Sequence, residues 1–445
     1  MAVNIPETAL KRVVVIGAGF GGLKLAQKLM GQGYQVVLID KNNYHQFQPL
    51  FYQVASSGIE PSSILFPLRK IFQKRKDMYI RVAEVFSVDS DKKELTTSLG
   101  PAWYDILVIG TGVNSNFFGM KNMAEYAVPM KSVSEAMALR NRLLLSFEKA
   151  VTLRDQNEKK ALLNIVVVGG GPTGVEVAGA IAEMKNFVLP KDYPDQNFDL
   201  MQINLIEGSG ALLNGMSEHA SKKALFYLER LGINVLLNTR VTDYDGNILS
   251  FSDGENLQTK TVIWAAGIIG ELPSGFAKEN IGRGNRLLVD EFNKVIGFDD
   301  IYAIGDVSLM TGPDYPNGHP QVAQVAIQQG RNLANNLIGF LHNSQPRPFK
   351  YVDKGSLATI GRNRAVADLP FLKFSGFIAW LTWMFVHLMA IVGVKNRLVI
   401  FINWMWSYMT YDQSLRLILW ASRKIPAIQP NPEEKAKNNA GQIIV

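Results

Sequence analysis

The sequence predicts an α/β fold of two parallel-sheet units followed by a helical, amphipathic C-terminal region. Three observations carry this expectation. RVVVIGAGFGG (12–22) and NIVVVGGGPTG (164–174) are each a β-branched run, of the composition of a buried parallel strand, emptying into glycines at G-x-G-x-x-G spacing. WYDILVIGTG (103–112) and TKTVIWAAG (259–267) occupy the same relative place after each loop, so the architecture is duplicated. From residue 375 onward the chain turns apolar and rich in tryptophan.

In the first unit, strand 13–16 leads to Gly17, Gly19 and Gly22, with Phe20 and Gly21 inside the turn. The first glycine permits the turn, the second lets a pyrophosphate approach the backbone, and the third lets helix and strand pack closely. The helix N-terminus then faces the phosphates. LAQKLMGQGYQVVLID supplies the helix and a second strand ending at Asp40, beside Lys41, where an acid can take ribose hydroxyls. The second unit repeats this with strand 165–168, Gly169, Gly171, Pro172, Thr173 and Gly174. Its next strand, MQINLIEGSG, ends at Glu207 after a Pro-containing insertion. A carboxylate there favours a free 2′-hydroxyl, and no Arg immediately follows to hold a 2′-phosphate, so NADH is expected over NADPH. The competing reading is that Asp40 and Glu207 are ordinary strand-end acids. Thr111 with Gly112 and Ala266 with Gly267 close the paired strands, and IYAIGDVSL ends an apolar strand at Asp306. Both units read as Rossmann-like.

The expected division of the chain is 1–120 and 286–370 for one discontinuous domain and 121–285 for the other. Helices that associate with a membrane follow at 371–425, then a polar tail at 426–445.

Of 445 residues, 47 % are hydrophobic and 19 % charged, enough for large cores and unlike a disordered chain. The net charge of +7 raises nucleic acid as a partner, but no basic stripe interleaved with aromatics supports it. RKIFQKRK (69–76) and basic residues near the C-terminus fit an anionic membrane surface at least as well. With no cysteine, disulfides and the branch of two-dinucleotide flavoproteins that works through redox-active cysteines are excluded, so electrons leaving a flavin go directly to an acceptor. His45, His219, His319, His342 and His387 show no metal-ligand spacing. No targeting segment precedes the first strand, so the chain is expected in the cytosolic compartment.

Residues 375–394, SGFIAWLTWMFVHLMAIVGV, contain no Asp, Glu, Lys or Arg, which on length alone suggests a membrane span. His387 within it, and a second apolar stretch (398–411) too short to cross, argue instead for helices lying in the interface. Trp380, Trp383, Trp404, Trp406 and Trp420 match the aromatic enrichment of that zone. From residue 370 eight Lys or Arg face three acids, favouring anionic headgroups. A buried dimer interface is the alternative, and is compatible with it.

Taken together, GAGFGG, AIGDV and GGGPTG resemble the FAD and NADH signatures of two-dinucleotide-binding-domain flavoproteins, whose FAD domain is discontinuous. HQFQPLFYQVA, GGGPTGVE, AQVAIQQG and VHLMAIVGVKNRLVIFINWMWSYMTYD narrow the resemblance to type II NADH dehydrogenases, the single-subunit NADH:quinone oxidoreductases of respiratory membranes. The resemblance implies FAD as cofactor, NADH as substrate, ubiquinone or menaquinone as acceptor, a homodimer, and a peripheral place on the cytoplasmic face of a prokaryotic inner membrane. It assigns Gln324 and Gln328, four apart and on one helix face, to the quinone site. It sets Glu176 near flavin and nicotinamide, in the first helical turn, as a proton relay, and Gln53 near the flavin or quinone. No bundle of charged membrane helices is present to move ions, so the reaction is expected not to pump protons. The competing function is a soluble NADH-dependent reductase of a small electron-carrier protein, which leaves the aromatic C-terminal region without a use. A sulfide:quinone reductase needs the cysteines that are absent, and a flavoprotein scaffold or NADH sensor leaves Glu176 and the paired glutamines idle.

Overall fold

The computed structural model describes residues 3–73, 75–410 and 415–419. The polar tail at 426–445, Trp420 and the last basic residues lie outside them.

Each glycine-loop strand sits at the centre of a five-stranded parallel sheet. In the first, the order is Ile301–Ala303, Ile106–Ile109, Arg12–Ile16, Gln35–Asp40, Met78–Val82. In the second it is Val128–Pro129, Thr261–Trp264, Asn164–Val168, Gln202–Ile206, Asn234–Leu236. Both central strands are buried along their whole length, which is why their sequences are unbroken β-branched runs rather than alternating ones. Strand Ile301–Ala303 joins the first sheet after the second has been completed, so the first sheet is built from two separated stretches of chain.

The duplication reaches further than the loops. Between the third strand of each sheet and the strand that pairs with the centre, both units insert a three-stranded antiparallel meander. These are Val85–Asp89, Glu94–Thr97, Gly100–Trp103 in the first unit and Val241–Tyr244, Ile248–Phe251, Asn256–Gln258 in the second. A two-stranded antiparallel ribbon, Val113–Ser115 with Ile268–Gly270, joins the two units.

A third sheet, Ser356–Thr359, Ala365–Leu369 and Leu372–Ser375, packs between the second unit and the C-terminal helices. The first of those helices therefore starts at Phe377 rather than near 371, because 372–375 pair as a strand after the Pro370 turn. The apolar run of 375–394 is not one helix. Phe377–Ala390 ends before a turn at 391–393, where Gly393 adopts φ +84, and Val394–Thr410 follows. Trp383 and Trp404 are buried against the body, while Phe377, Ile378, Leu381, Phe385, Leu398, Phe401, Ile402 and Trp406 are exposed. Among the described residues no helix is long and apolar enough to cross a membrane.

Candidate functional site: two glycine cradles and a buried acid

The two loops are built alike. A Cβ on Gly22 would lie 2.0 Å from the Gly17 carbonyl oxygen, and one on Gly174 would lie 1.8 Å from that of Gly169. Only glycine lets each helix close on its own turn. The middle glycines, Gly19 and Gly171, have nothing within 4 Å on that side, so each cradle opens outward. Both occupy the N-cap position of their helices, Phe20–Leu29 and Pro172–Glu183, with no side chain capping the free amides. An open concavity of unpaired N–H groups at a helix start fits a pyrophosphate. Pro172 at the first position needs no hydrogen-bond partner for its nitrogen.

The strand-end acids have the same job in both units. Asp40 accepts from the Ala18 and Asn42 amides at 2.6 Å each, and Glu207 accepts from the Gly170 amide at 2.6 Å and from Ser209. Each carboxylate braces the residue that follows the first glycine, so neither is an ordinary strand end. Burial pushes the Asp40 carboxyl up, against the pull of those amides. Beyond Glu207, the segment at 238–240 hugs the same turn, and the Arg240 stem lies over Gly208, a cation delivered by the segment that follows strand Asn234–Leu236 rather than by the next residues.

The remaining expected ligand positions differ in kind. Thr111 donates to the Glu271 carbonyl, the Glu271 amide donates to the Gly112 carbonyl, and Lys41 pairs with the Glu271 carboxylate at 2.9 Å. Ala266 lies against Gly169, and Gly267 lies under the ring of Phe118. Gly21 serves packing, since a Cβ there would sit 3.0 Å from the Ala326 carbonyl of helix Ala323–Phe340, and Phe20 packs edge-on against His45 and Phe47. Thr173 is exposed beside the second cradle. Asp306, half-buried after strand Ile301–Ala303, is held protonated more readily by burial, offset by Lys131 and Arg286.

Gln324 and Gln328 do share a face, but both amides are engaged by backbone. Gln324 accepts from Lys354 N and donates to Gly355 O, each at 3.1 Å, and Gln328 clamps Val352 through both of its groups. Each amide nitrogen keeps a second N–H.

Glu176 is the fifth residue of its helix, one turn in rather than in the first turn, and is only 9 % exposed. Burial pushes its carboxyl up to about 8, and the Thr359 amide and Trp383 indole only partly offset this. That indole closes no hydrogen bond of normal geometry: Nε1 of the fully buried Trp383 is unpartnered. Next to it lies a cavity of about 100 Å³ whose lining includes Tyr52, Gln53, Glu183, Trp383, Trp404 and Tyr408. Gln53 is fixed there, accepting from Trp404 Nε1 and donating to the Tyr52 hydroxyl, both at 2.8 Å. His387 stacks on Trp383 with ring centroids 4.1 Å apart, and burial holds its imidazole down to about 4, so it is neutral at physiological pH. Among the described residues no group of His, Asp or Glu could hold a metal.

Sequence reasoning missed three residues. Lys131, before the helix Val133–Thr152, is a largely buried cation facing Asp306, and desolvation holds its ammonium down. Gln329, adjacent to the predicted glutamine, is the one that accepts from Gly305 N and Ser308 and so fixes the Asp306 turn. Phe118 carries a bulky side chain at φ +51. Only the last had a local signal, the FFG triplet entering a turn.

Residues 11–330 match the pyridine nucleotide-disulphide oxidoreductase family, and residues 354–410 match the NDH2 C-terminal domain. The chain is 33 % identical to the type II NADH:quinone oxidoreductase Ndh of Mycobacterium tuberculosis over 408 residues, 88 % of this chain and 87 % of that one. It is 30 % identical to the corresponding protein of Staphylococcus saprophyticus, across 80 % and 89 %. Among solved structures, Plasmodium falciparum NDH2 in complex with NADH superposes with a TM-score of 0.84 at 26 % identity, over 92 % of this chain and all of that one. The chain lacks the cysteines that give the broad family half its name, yet keeps both nucleotide units and the C-terminal domain, and it belongs to the type II NADH:quinone oxidoreductases.

Proposed function

We propose that this chain passes two electrons from NADH to a membrane quinone through FAD, with the first glycine cradle taking the FAD and the second the NADH. A bound flavin supplies the two-electron relay between nicotinamide and quinone that no side chain here provides. Asp40, Lys41, Thr111, Gly112 and Asp306 belong to the FAD cleft, and Glu207, Ala266 and Gly267 to the NADH cleft. Lys131 and Arg286 act electrostatically on the half-buried Asp306, and we assign this group of charges to the FAD side as a counter-charge for a polar ligand edge.

The observation that carries the reading is the placement of Glu176. It lies one turn inside the NADH-unit helix, yet the groups that act on its carboxyl include Thr359 and Trp383 of the C-terminal domain, and it acts in turn on Tyr52 of the first unit. An acid that is still protonated at neutral pH at that junction can hold one of the two protons that quinone reduction takes up. Gln324 and Gln328 offer their second N–H groups to quinone carbonyls, and Gln53 shapes the apolar side.

The exposed apolar side of helices Phe377–Ala390 and Val394–Thr410 is the surface we assign to an anionic bilayer, on the cytoplasmic face of a prokaryotic inner membrane, with a second copy of the chain as homodimer partner. The test is anaerobic stopped-flow on the purified yellow protein. NADH should bleach the flavin and a soluble quinone analogue should restore it, more slowly after Gln324→Ala or Gln328→Ala. Bleaching that no quinone reverses would move the acceptor to a small carrier protein. In proteoliposomes, NADH oxidation should show no uncoupler-sensitive proton movement.

A further inference from the structure

The ribbon that joins the two units ends differently over the two clefts. At one end Gly112 pairs with Glu271, and the side of Gly112 where a Cβ would stand is open. At the other end Gly267 pairs with Asn116, and there the Phe118 ring covers the glycine so closely that a Cβ on Gly267 would lie 2.6 Å from it. Phe118 is a strained choice. Its φ of +51 lies in the left-handed region that bulky residues avoid, and the Asn116 carboxamide holds the turn by accepting the Phe118 amide at 2.9 Å. The residue is nevertheless 63 % exposed, so it is not held there by burial in a core. Contact with Trp264 does not require it either, because Phe117 already stacks on that indole at 5.5 Å, with Phe118 only edge-on at 6.2 Å. Strain kept at an exposed aromatic points to a ligand rather than to packing.

The sheet order says which ligand. Glu207 ends the strand on one side of Asn164–Val168, and Ala266 and Gly267 follow the strand on the other. A dinucleotide lying across the carboxyl ends of these strands, with its adenosine ribose at Glu207, runs its nicotinamide half past Ala266 and Gly267. We propose that Phe118 is a positioning residue for NADH, its phenyl forming the wall against which the nicotinamide half lies over Gly267. This rests on the assignment of NADH to the second cradle. The flat ring also explains why position 267 is glycine: any side chain there would displace the phenyl.

The experiment is the NADH concentration that half-saturates anaerobic flavin bleaching in Phe118→Gly, Phe118→Leu and Phe118→Tyr. Glycine relieves the backbone strain, so the variant should melt no lower than the parent while its half-saturating NADH rises about tenfold. Leucine should give a smaller rise, and tyrosine, which restores the ring, should return the parent value. Flavin content and the reoxidation rate with a quinone analogue should not change in any of them. Unchanged NADH saturation in Phe118→Gly and Phe118→Leu, with the parent bleaching normally, would overturn the proposal and leave Phe118 as a joint between the units. A parent protein that NADH does not bleach would instead sink the cofactor assignment on which the proposal stands.

Discussion

The two nucleotide units share the helix start that closes on its own turn, the open middle glycine and the carboxylate that braces the next amide, yet their outer walls differ. Over the first cleft, Lys41 and Glu271 form an ion pair that ties the acid-bearing strand end to the joining ribbon. Over the second, the ribbon offers the exposed ring of Phe118 and, among the described residues, no such ion pair to the segment after Glu207. A prosthetic group needs retention, whereas a substrate must leave after each turnover. The difference between the walls is the one expected if the first unit keeps its dinucleotide and the second exchanges it.

The strongest way to break the comparison is at the closing glycines. Gly22→Ala and Gly174→Ala each force a methyl into a carbonyl oxygen far inside van der Waals contact, with backbone that cannot retreat. The soluble fraction of Gly22→Ala should be colourless. Gly174→Ala should stay yellow, with NADH-driven bleaching slowed about 10²-fold or more. Flavin content by absorbance and bleaching by stopped-flow separate the two. Equal flavin loss in both variants would mean that the units do not divide their ligands as proposed.

Glu176 sharpens the comparison next, since the first unit has no buried acid at the matching place: Lys24 stands there, five residues into its helix. With a carboxyl near 8 in the folded chain and 4.5 as its ordinary value, the native state binds a proton that the unfolded state releases between those limits. The contribution to stability is therefore full below pH 4.5, falls as pH rises from 4.5 to 8, and stays lost above 8, roughly 5 kcal/mol in all. Glu176→Gln keeps the shape and removes the titration. Its melting temperature should fall less steeply than the parent's between about pH 5 and 8, the remaining slope coming from other buried carboxyls such as Glu183, while flavin reoxidation by quinone slows about 10²-fold. Parallel melting profiles would show that the Glu176 carboxyl titrates in its ordinary range.

What could be read in the sequence, and what could not, follows from how far apart the partners lie. Gly17, Gly22, Gly169 and Gly174 act within one turn of chain, so spacing alone reveals them, and Asp40 and Glu207 stand one strand away from the amides they hold. The duplicated strands were legible for the same reason. The sheet over Ser356–Thr359, Ala365–Leu369 and Leu372–Ser375 was not, because its strands are short and gain their burial from the second unit and the C-terminal helices. Gln53 looks like any loop glutamine until Trp404, more than three hundred residues on, arrives to hold it. Gln324 and Gln328 were legible as a face, but the backbone that engages them belongs to a segment with no sequence signature. Lys131 and Asp306 meet only when the chain returns to the first sheet.

The smallest expected effect tests the outer wall of the first cleft. Lys41 and Glu271 are both substantially exposed, so their pair contributes no more than about 1 kcal/mol and weakens with salt. Glu271→Ala leaves in place the Thr111 bond and the ribbon contact to Gly112, because both use Glu271 backbone. Only the carboxylate is removed. Flavin release on dilution should accelerate by a factor of about 5 at most at low ionic strength, and the difference from the parent should vanish at about 1 M salt. NADH saturation should not move, because the pair lies over the other cleft. A salt-independent loss of flavin would show instead that the substitution had disturbed the ribbon itself, and the contrast between a tied cleft and an open one would then rest on Phe118 alone.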